Sequence, residues 1–127
     1  MWTVSRPVQA PSETVWKLLV DLDAWPKWGP SVVRAELDRG VLTLGTRGRV
    51  WTPVGVALPF EITEFVPGVS WAWQVAGVPG TRHGVDPDGT GCRVWMSAPG
   101  WVPAYLPVLA VALRRIDAMA TAVTPLS

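Results

Sequence analysis

Apolar and polar positions switch between two periods along the chain. Over residues 1–8 they alternate, Trp2 and Val4 against polar neighbours, which predicts a strand. Ala10-Pro11-Ser12-Glu13 then opens a helix, with proline suited to a first turn and Glu13 facing the positive end of the helix dipole. Val15, Leu18, Leu19 and Leu22 recur at helical spacing and form one apolar stripe. Asp23 is placed to cap a second, very short helix over residues 24–28, which Gly29-Pro30 ends.

The middle of the chain alternates again. Strands are predicted over residues 32–37, 45–51, 56–65, 69–76, 81–85 and 92–97. Asp38-Arg39-Gly40, Val66-Pro67-Gly68, Gly77-Val78-Pro79-Gly80 and Asp86-Pro87-Asp88-Gly89 supply turns between them, the spacing of an antiparallel meander. Pro59 fits near a strand start, at an edge or bulge. The helical period returns at the end. Leu106, Leu109, Leu113, Ile116, Ala120 and Val123 share one face, while Arg114, Arg115 and Asp117 lie off it. Pro107 either sits in the first turn of this helix or kinks it. The order predicts an α+β fold, a curved antiparallel sheet wrapped around the long C-terminal helix, with a short helix pair after the first strand. Wherever the sheet curls further than the helix can fill, an apolar cavity remains.

Composition narrows the function classes. A chain of 127 residues is expected to form a single domain over 1–127. With 49% hydrophobic and 17% charged residues it is not a disordered chain. The net charge is +1, with Arg34, Arg39, Arg47 and Arg49 interspersed among acids, so no nucleic-acid partner is expected. Cys92 is the only cysteine, and neither a metal-ligand cluster nor a phosphate loop is present, so no metal or cofactor is expected. The N-terminal residues lack a secretory pattern. The apolar stretch over 101–113 carries Pro103 and Pro107 and falls short of the roughly 20 residues a membrane span needs, so the expected location is cytoplasmic, without membrane insertion. Nine arginines against two lysines, with abundant Ala, Gly and Pro, suggest a GC-rich bacterial source. Nine tryptophans exceed what so small a core needs.

The run Val8-Gln9-Ala10-Pro11-Ser12-Glu13-Thr14-Val15-Trp16, followed by Asp21-Leu22-Asp23-Ala24-Trp25-Pro26-Lys27-Trp28-Gly29-Pro30, is similar to the opening of START-like (SRPBCC) proteins. Gly45-Thr46-Arg47, Glu61-Ile62-Thr63-Glu64-Phe65 and Trp71-Ala72-Trp73 resemble strands of the polyketide cyclase/dehydrase branch. The resemblance covers nearly the whole chain and implies the helix-grip fold with a deep hydrophobic cavity. It also implies binding of lipids, sterols, hormones or polyketides, or catalysis of aldol-type ring closure or dehydration. The chain departs from the pattern in its shortness and in Gly48 and Gly84, where larger strand residues are expected.

His83 is the only histidine, and its ordinary pKa lies near neutrality. Alternation puts Thr81, His83 and Val85 on one face, taken as concave, where His83 could shuttle protons or bond a ligand carbonyl. The plainer reading is a histidine paired with a neighbour or left in solvent. Trp71 and Trp73 share a face with Val75; they either line a cavity and stack on a planar ligand or fill the core. Trp28 stands at the expected cavity mouth or braces the helix pair. Tyr105, the only tyrosine, flanks Leu109 at the start of the last helix. Its phenol either reaches a ligand, donating a proton as the resemblance implies, or straddles core and solvent. Glu61 and Glu64 fall on opposite faces. Glu64 shares one with Phe60 and Ile62, a partly buried acid that Arg49 would partner if the strand register brings the two together. Cys92, Val94 and Met96 alternate together, making Cys92 an inert core thiol and Met96 a cavity wall. Trp51 and Trp95 point outward, to an outer sheet surface or a homodimer contact.

The leading expectation is binding of a small hydrophobic molecule, aromatic, lipid-like or polyketide-like, between sheet and last helix. One alternative is a cyclase or dehydratase in which His83 and Tyr105 move protons. Another is a non-catalytic interaction module with a filled core.

Overall fold

Local pattern becomes architecture through pairing. The structure, a computed structural model, describes residues 2–100 and 105–122. The strands are β1 (Trp2–Val8), β2 (Arg34–Leu37), β3 (Arg47–Trp51), β4 (Ala57–Val66), β5 (Ser70–Val75), β6 (Val78–Asp88) and β7 (Gly91–Ala98). The helices are α1 (Ser12–Val20), α2 (Trp25–Trp28) and α3 (Leu106–Ala122). Met1 of the expected first strand and Val123 of the expected helix face lie outside the described residues. All strand pairs are antiparallel, and the sheet order is β1-β7-β6-β5-β4-β3-β2. The helix pair after β1 and the long last helix complete the helix-grip arrangement.

Boundaries moved where turns are tighter than composition suggests. The β5–β6 turn consists of Ala76 and Gly77, at φ 52° and 79°, the left-handed pair that a two-residue hairpin needs. Val78-Pro79-Gly80, expected as turn, therefore begins β6. At its far end Asp88 pairs with Gly91, so Asp86-Pro87-Asp88 extends the strand rather than ending it. Asp23 does not cap α2. Ala24 precedes that helix in helical conformation without a side-chain bond, and the Asp23 N–H instead donates to the Asp21 carboxylate at 3.0 Å. Pro107 falls in the first turn of α3, where its missing N–H costs nothing.

Three tryptophans are spent on the end of one helix. The last carbonyls of a helix lack intrahelical partners. In α1 the Leu18 carbonyl accepts from the Trp28 indole at 2.8 Å. The Leu19 carbonyl accepts from both the Trp25 and Trp71 indoles, at 2.9 and 3.0 Å. Helix α1 is thereby fastened to α2 and to the sheet through buried N–H donors.

Helix α3 buries Leu109, Ala112, Leu113, Ile116 and Ala120, the predicted face with Ala112 added and Leu106 only half-buried. Each large side chain so buried contributes about 1.5–3 kcal/mol. The helix packs chiefly on β1 and also meets β7, α1 and α2. The Arg6 guanidinium holds it to β1 through Asp117 at 2.6 Å. This placement over one end of the sheet decides where open space is left.

Two glycines give room to aromatic rings on the neighbouring strand. Gly48 pairs with Phe60 and Gly84 with Trp95, and a Cβ at either position would collide with the partner's ring. The departures noted at these positions are thus the complement of two large neighbours.

Glu64 is a correction. The β4–β5 register shifts between Ile62 and Glu64, and this irregularity breaks the simple alternation. Ile62 stays buried, whereas Glu64 is exposed and Phe65 packs against the core. Its partner is Arg82, Nε to Oε2 at 2.8 Å, not Arg49. Glu61, correctly placed away from Ile62, pairs with Arg47 at 3.1 Å.

Candidate functional site

Strand alternation carries Thr81, His83 and Val85 of β6 into the interior, where all three are buried. His83 is 3% exposed and lies opposite Trp71 on β5, with ring centroids 4.0 Å apart and planes at 26°. On its other side Trp71 stacks against Trp25, centroids 5.2 Å apart and planes at 16°. Both faces of Trp71 are therefore covered, which leaves none to stack on a planar ligand. This sandwich is core.

Trp73 differs. It is only half-buried and meets Trp25, Phe60 and Trp71 edge-on or tilted, centroids 5.4–5.5 Å away. Its indole N–H donates to Thr81 Oγ1 at 3.2 Å, and Thr81 Oγ1 is 2.8 Å from His83 Nε2. The other ring nitrogen, Nδ1, is buried without a hydrogen-bond partner. Burial pushes the imidazole down to about 3, with the Trp71 backbone acting in the opposite direction. His83 is thus neutral at physiological pH and a poor base, suited to hydrogen bonding rather than to moving protons.

Two spaces adjoin these residues. The first, about 40 Å³, lies beneath α3 and is walled by Trp28, Trp71, His83, Met96, Tyr105 and Leu109 among others. It has room for a few waters at most. The second is an open groove of about 280 Å³ on the part of the sheet that α3 leaves uncovered. Its floor and walls include Val50, Leu58, Trp73, Val75, Pro79 and Pro99. Ser31, Val32, Trp73, Thr81 and Tyr105 border both spaces. At that boundary the Ser31 and Tyr105 hydroxyls are 2.7 Å apart and share a hydrogen bond.

The expected site residues separate accordingly. Trp73, Thr81 and Tyr105 meet at the groove; Trp28, Trp71, His83, Met96 and Leu109 line only the small inner space; Glu64 borders neither. Trp28 is largely a brace, its N–H held by α1. Ser31 and the walls Val50, Leu58, Val75 and Pro79 were not singled out beforehand. Val50 shares the inward face of Gly48, and Leu58 that of Phe60, so alternation contained that signal. The pairing of Ser31 with Tyr105, 74 residues apart, had none.

Among the described residues no group of three His, Cys, Asp or Glu side chains could hold a metal ion. No helix among them is long and apolar enough to cross a membrane. Cys92 is buried, and burial, with Asp117 adding to it, pushes its thiol up. On the outer sheet surface Arg34 and Arg49 lie over Trp51, at 4.6 and 5.5 Å from its ring centre, and Arg82 lies 5.5 Å from that of Trp95.

Comparisons with known proteins agree with this architecture. The model of the family described as "Polyketide cyclase / dehydrase and lipid transport" matches residues 2–124. No curated protein matches the sequence significantly. Among solved structures, protein MLL2253 from Mesorhizobium loti is similar at 14% identity and a TM-score of 0.72, covering 97% of this chain and 98% of its own. The Aha1 dimer from Colwellia psychrerythraea is similar at 17% identity, TM-score 0.68, with 94% of each chain covered. Ara h 8.0201 is similar at 11% identity and TM-score 0.69, over 95% of this chain and 97% of that one.

Proposed function

The chain belongs to the polyketide cyclase/dehydrase and lipid transport family, and on that premise we propose that it binds a small hydrophobic molecule in the groove beside α3. The observation that supports this reading is the groove itself: about 280 Å³, apolar walls, and hydroxyls gathered at one end. Trp73 offers the available aromatic surface, and Thr81 and Tyr105 the polar contacts. Trp71 and His83 support Trp73 and Thr81 from behind. Mass spectrometry of the natively purified protein is expected to reveal a co-purifying apolar compound. Titration with neutral aromatic compounds is expected to quench tryptophan fluorescence and raise the melting temperature. At a ligand concentration of 100 Kd the gain is about 2.7 kcal/mol. No response across a broad panel would overturn the reading and favour an interaction module with a filled core.

A catalytic reading rests on one further observation, the Tyr105 phenol at the groove wall. In a cyclase or dehydratase the groove would fold a poly-ketone chain while Tyr105 supplies a proton. The buried, neutral His83 is better suited to positioning Thr81. Turnover of a poly-ketone substrate that is lost in Tyr105→Phe but kept in His83→Gln would support that division of roles.

A further inference from the structure

The groove also restricts the chemistry of its occupant. Among the described residues neither the groove nor the inner space is lined by Lys, Arg, Asp or Glu. A carboxylate or ammonium drawn against these walls would lose part of its water and meet no counter-charge among the described residues, a cost of up to several kcal/mol.

The hydrogen bonds leave a definite remainder. Ser31 and Tyr105 carry two hydroxyl protons between them and share one hydrogen bond, so one O–H at the groove wall is unspent. Thr81 is already engaged, its Oγ1 accepting from the Trp73 N–H and bonded to His83 Nε2. The hydroxyl oxygens keep acceptor capacity as well, but the unspent O–H of the Ser31–Tyr105 pair is a donor that only an acceptor on the occupant or water satisfies. The size of the groove sets the third limit. A cavity of about 150 Å³ accommodates benzene, so about 280 Å³ suits a body of roughly two rings.

We infer that the occupant is an uncharged, roughly two-ring hydrophobe carrying a hydrogen-bond-accepting oxygen, such as a ketone, held by the Ser31–Tyr105 hydroxyl pair beside Thr81. This rests on the binding reading above and specifies its ligand class. In the bound state the apolar body lies against Trp73, Val50, Leu58 and Val75, and the oxygen faces the hydroxyls.

Calorimetric titration at neutral pH with acetonaphthone, isopropylnaphthalene and naphthoate, all substituted at the same ring carbon, tests it. In the wild type, naphthoate is expected to bind about a hundredfold or more weaker than acetonaphthone. In Ser31→Ala/Tyr105→Phe, acetonaphthone is expected to weaken roughly five- to tenfold, while isopropylnaphthalene changes less than about twofold. Tyr105→Phe alone, the milder change should the double variant fold poorly, is expected to show the same pattern at smaller size. Naphthoate binding within about tenfold of the ketone overturns the exclusion of charge. Equal weakening of ketone and hydrocarbon in the variants overturns the role of the hydroxyls. If none of the three compounds binds the wild type, the binding reading itself fails, and this inference with it.

Discussion

Acidification is expected to destabilise this protein through a single side chain. His83 is the only histidine, and in the folded chain its imidazole is pushed from 6.5 down to about 3 by burial. Above pH 6.5 both folded and unfolded states hold it neutral, and stability has its full value. Below 6.5 the unfolded chain takes up a proton that the folded chain refuses, so stability declines as pH falls until about 3. Each pH unit within that window costs about 1.4 kcal/mol. At about pH 5, 1.5 units below 6.5, the loss is about 2 kcal/mol, or roughly 8 °C in Tm for a chain of this size. The assay is urea unfolding followed by tryptophan fluorescence at about pH 7.5, 6 and 5, for the wild type and for His83→Gln. The wild type is expected to lose stability along this slope, and His83→Gln to start lower but show no such slope. A wild-type unfolding free energy unchanged between about pH 7 and 5 would refute the claim that His83 is buried neutral against Trp71.

Three further outcomes follow from the packing. Trp28→Phe keeps a ring but removes the N–H that caps the Leu18 carbonyl; urea unfolding is expected to show a loss of about 1–3 kcal/mol, and a neutral result would remove the cap from the account. Ala76, at φ 52°, occupies a conformation that costs a non-glycine residue roughly 1–2 kcal/mol; Ala76→Asn, which tolerates it better, is expected to raise Tm by a few degrees, and a fall would refute the strain. Gly84→Ala sets a methyl against the Trp95 ring and is expected to cost about 1–3 kcal/mol, most of it recovered when the change is made on a Trp95→Ala background. Strict additivity of the two changes in a double-mutant cycle would refute the close approach.

Much of the architecture is legible in the chain itself. Period-two alternation and period-3.6 stripes arise from local backbone geometry, so strands and helices appear in the right order with their buried faces marked. Leu109, Leu113, Ile116 and Ala120 of α3, and Thr81, His83 and Val85 of β6, are examples. The same locality explains the error at Glu64. A register irregularity exists only between two paired strands, and alternation read from one strand does not contain it.

The site was decided by contacts between distant residues. Trp71 and Trp73 look equivalent in sequence, two positions apart on one face. Tertiary packing seals the first between Trp25 and His83 and leaves the second at the groove. Whether a space is closed or open depends on where α3 comes to rest, over β1 and β7 rather than across the whole sheet. The sequence by itself determined which residues face inward, because side-chain direction follows from local geometry. Only the tertiary structure decided which of them meet one another and which border open space, because stacking, register and the Ser31–Tyr105 hydrogen bond join positions that no local period connects.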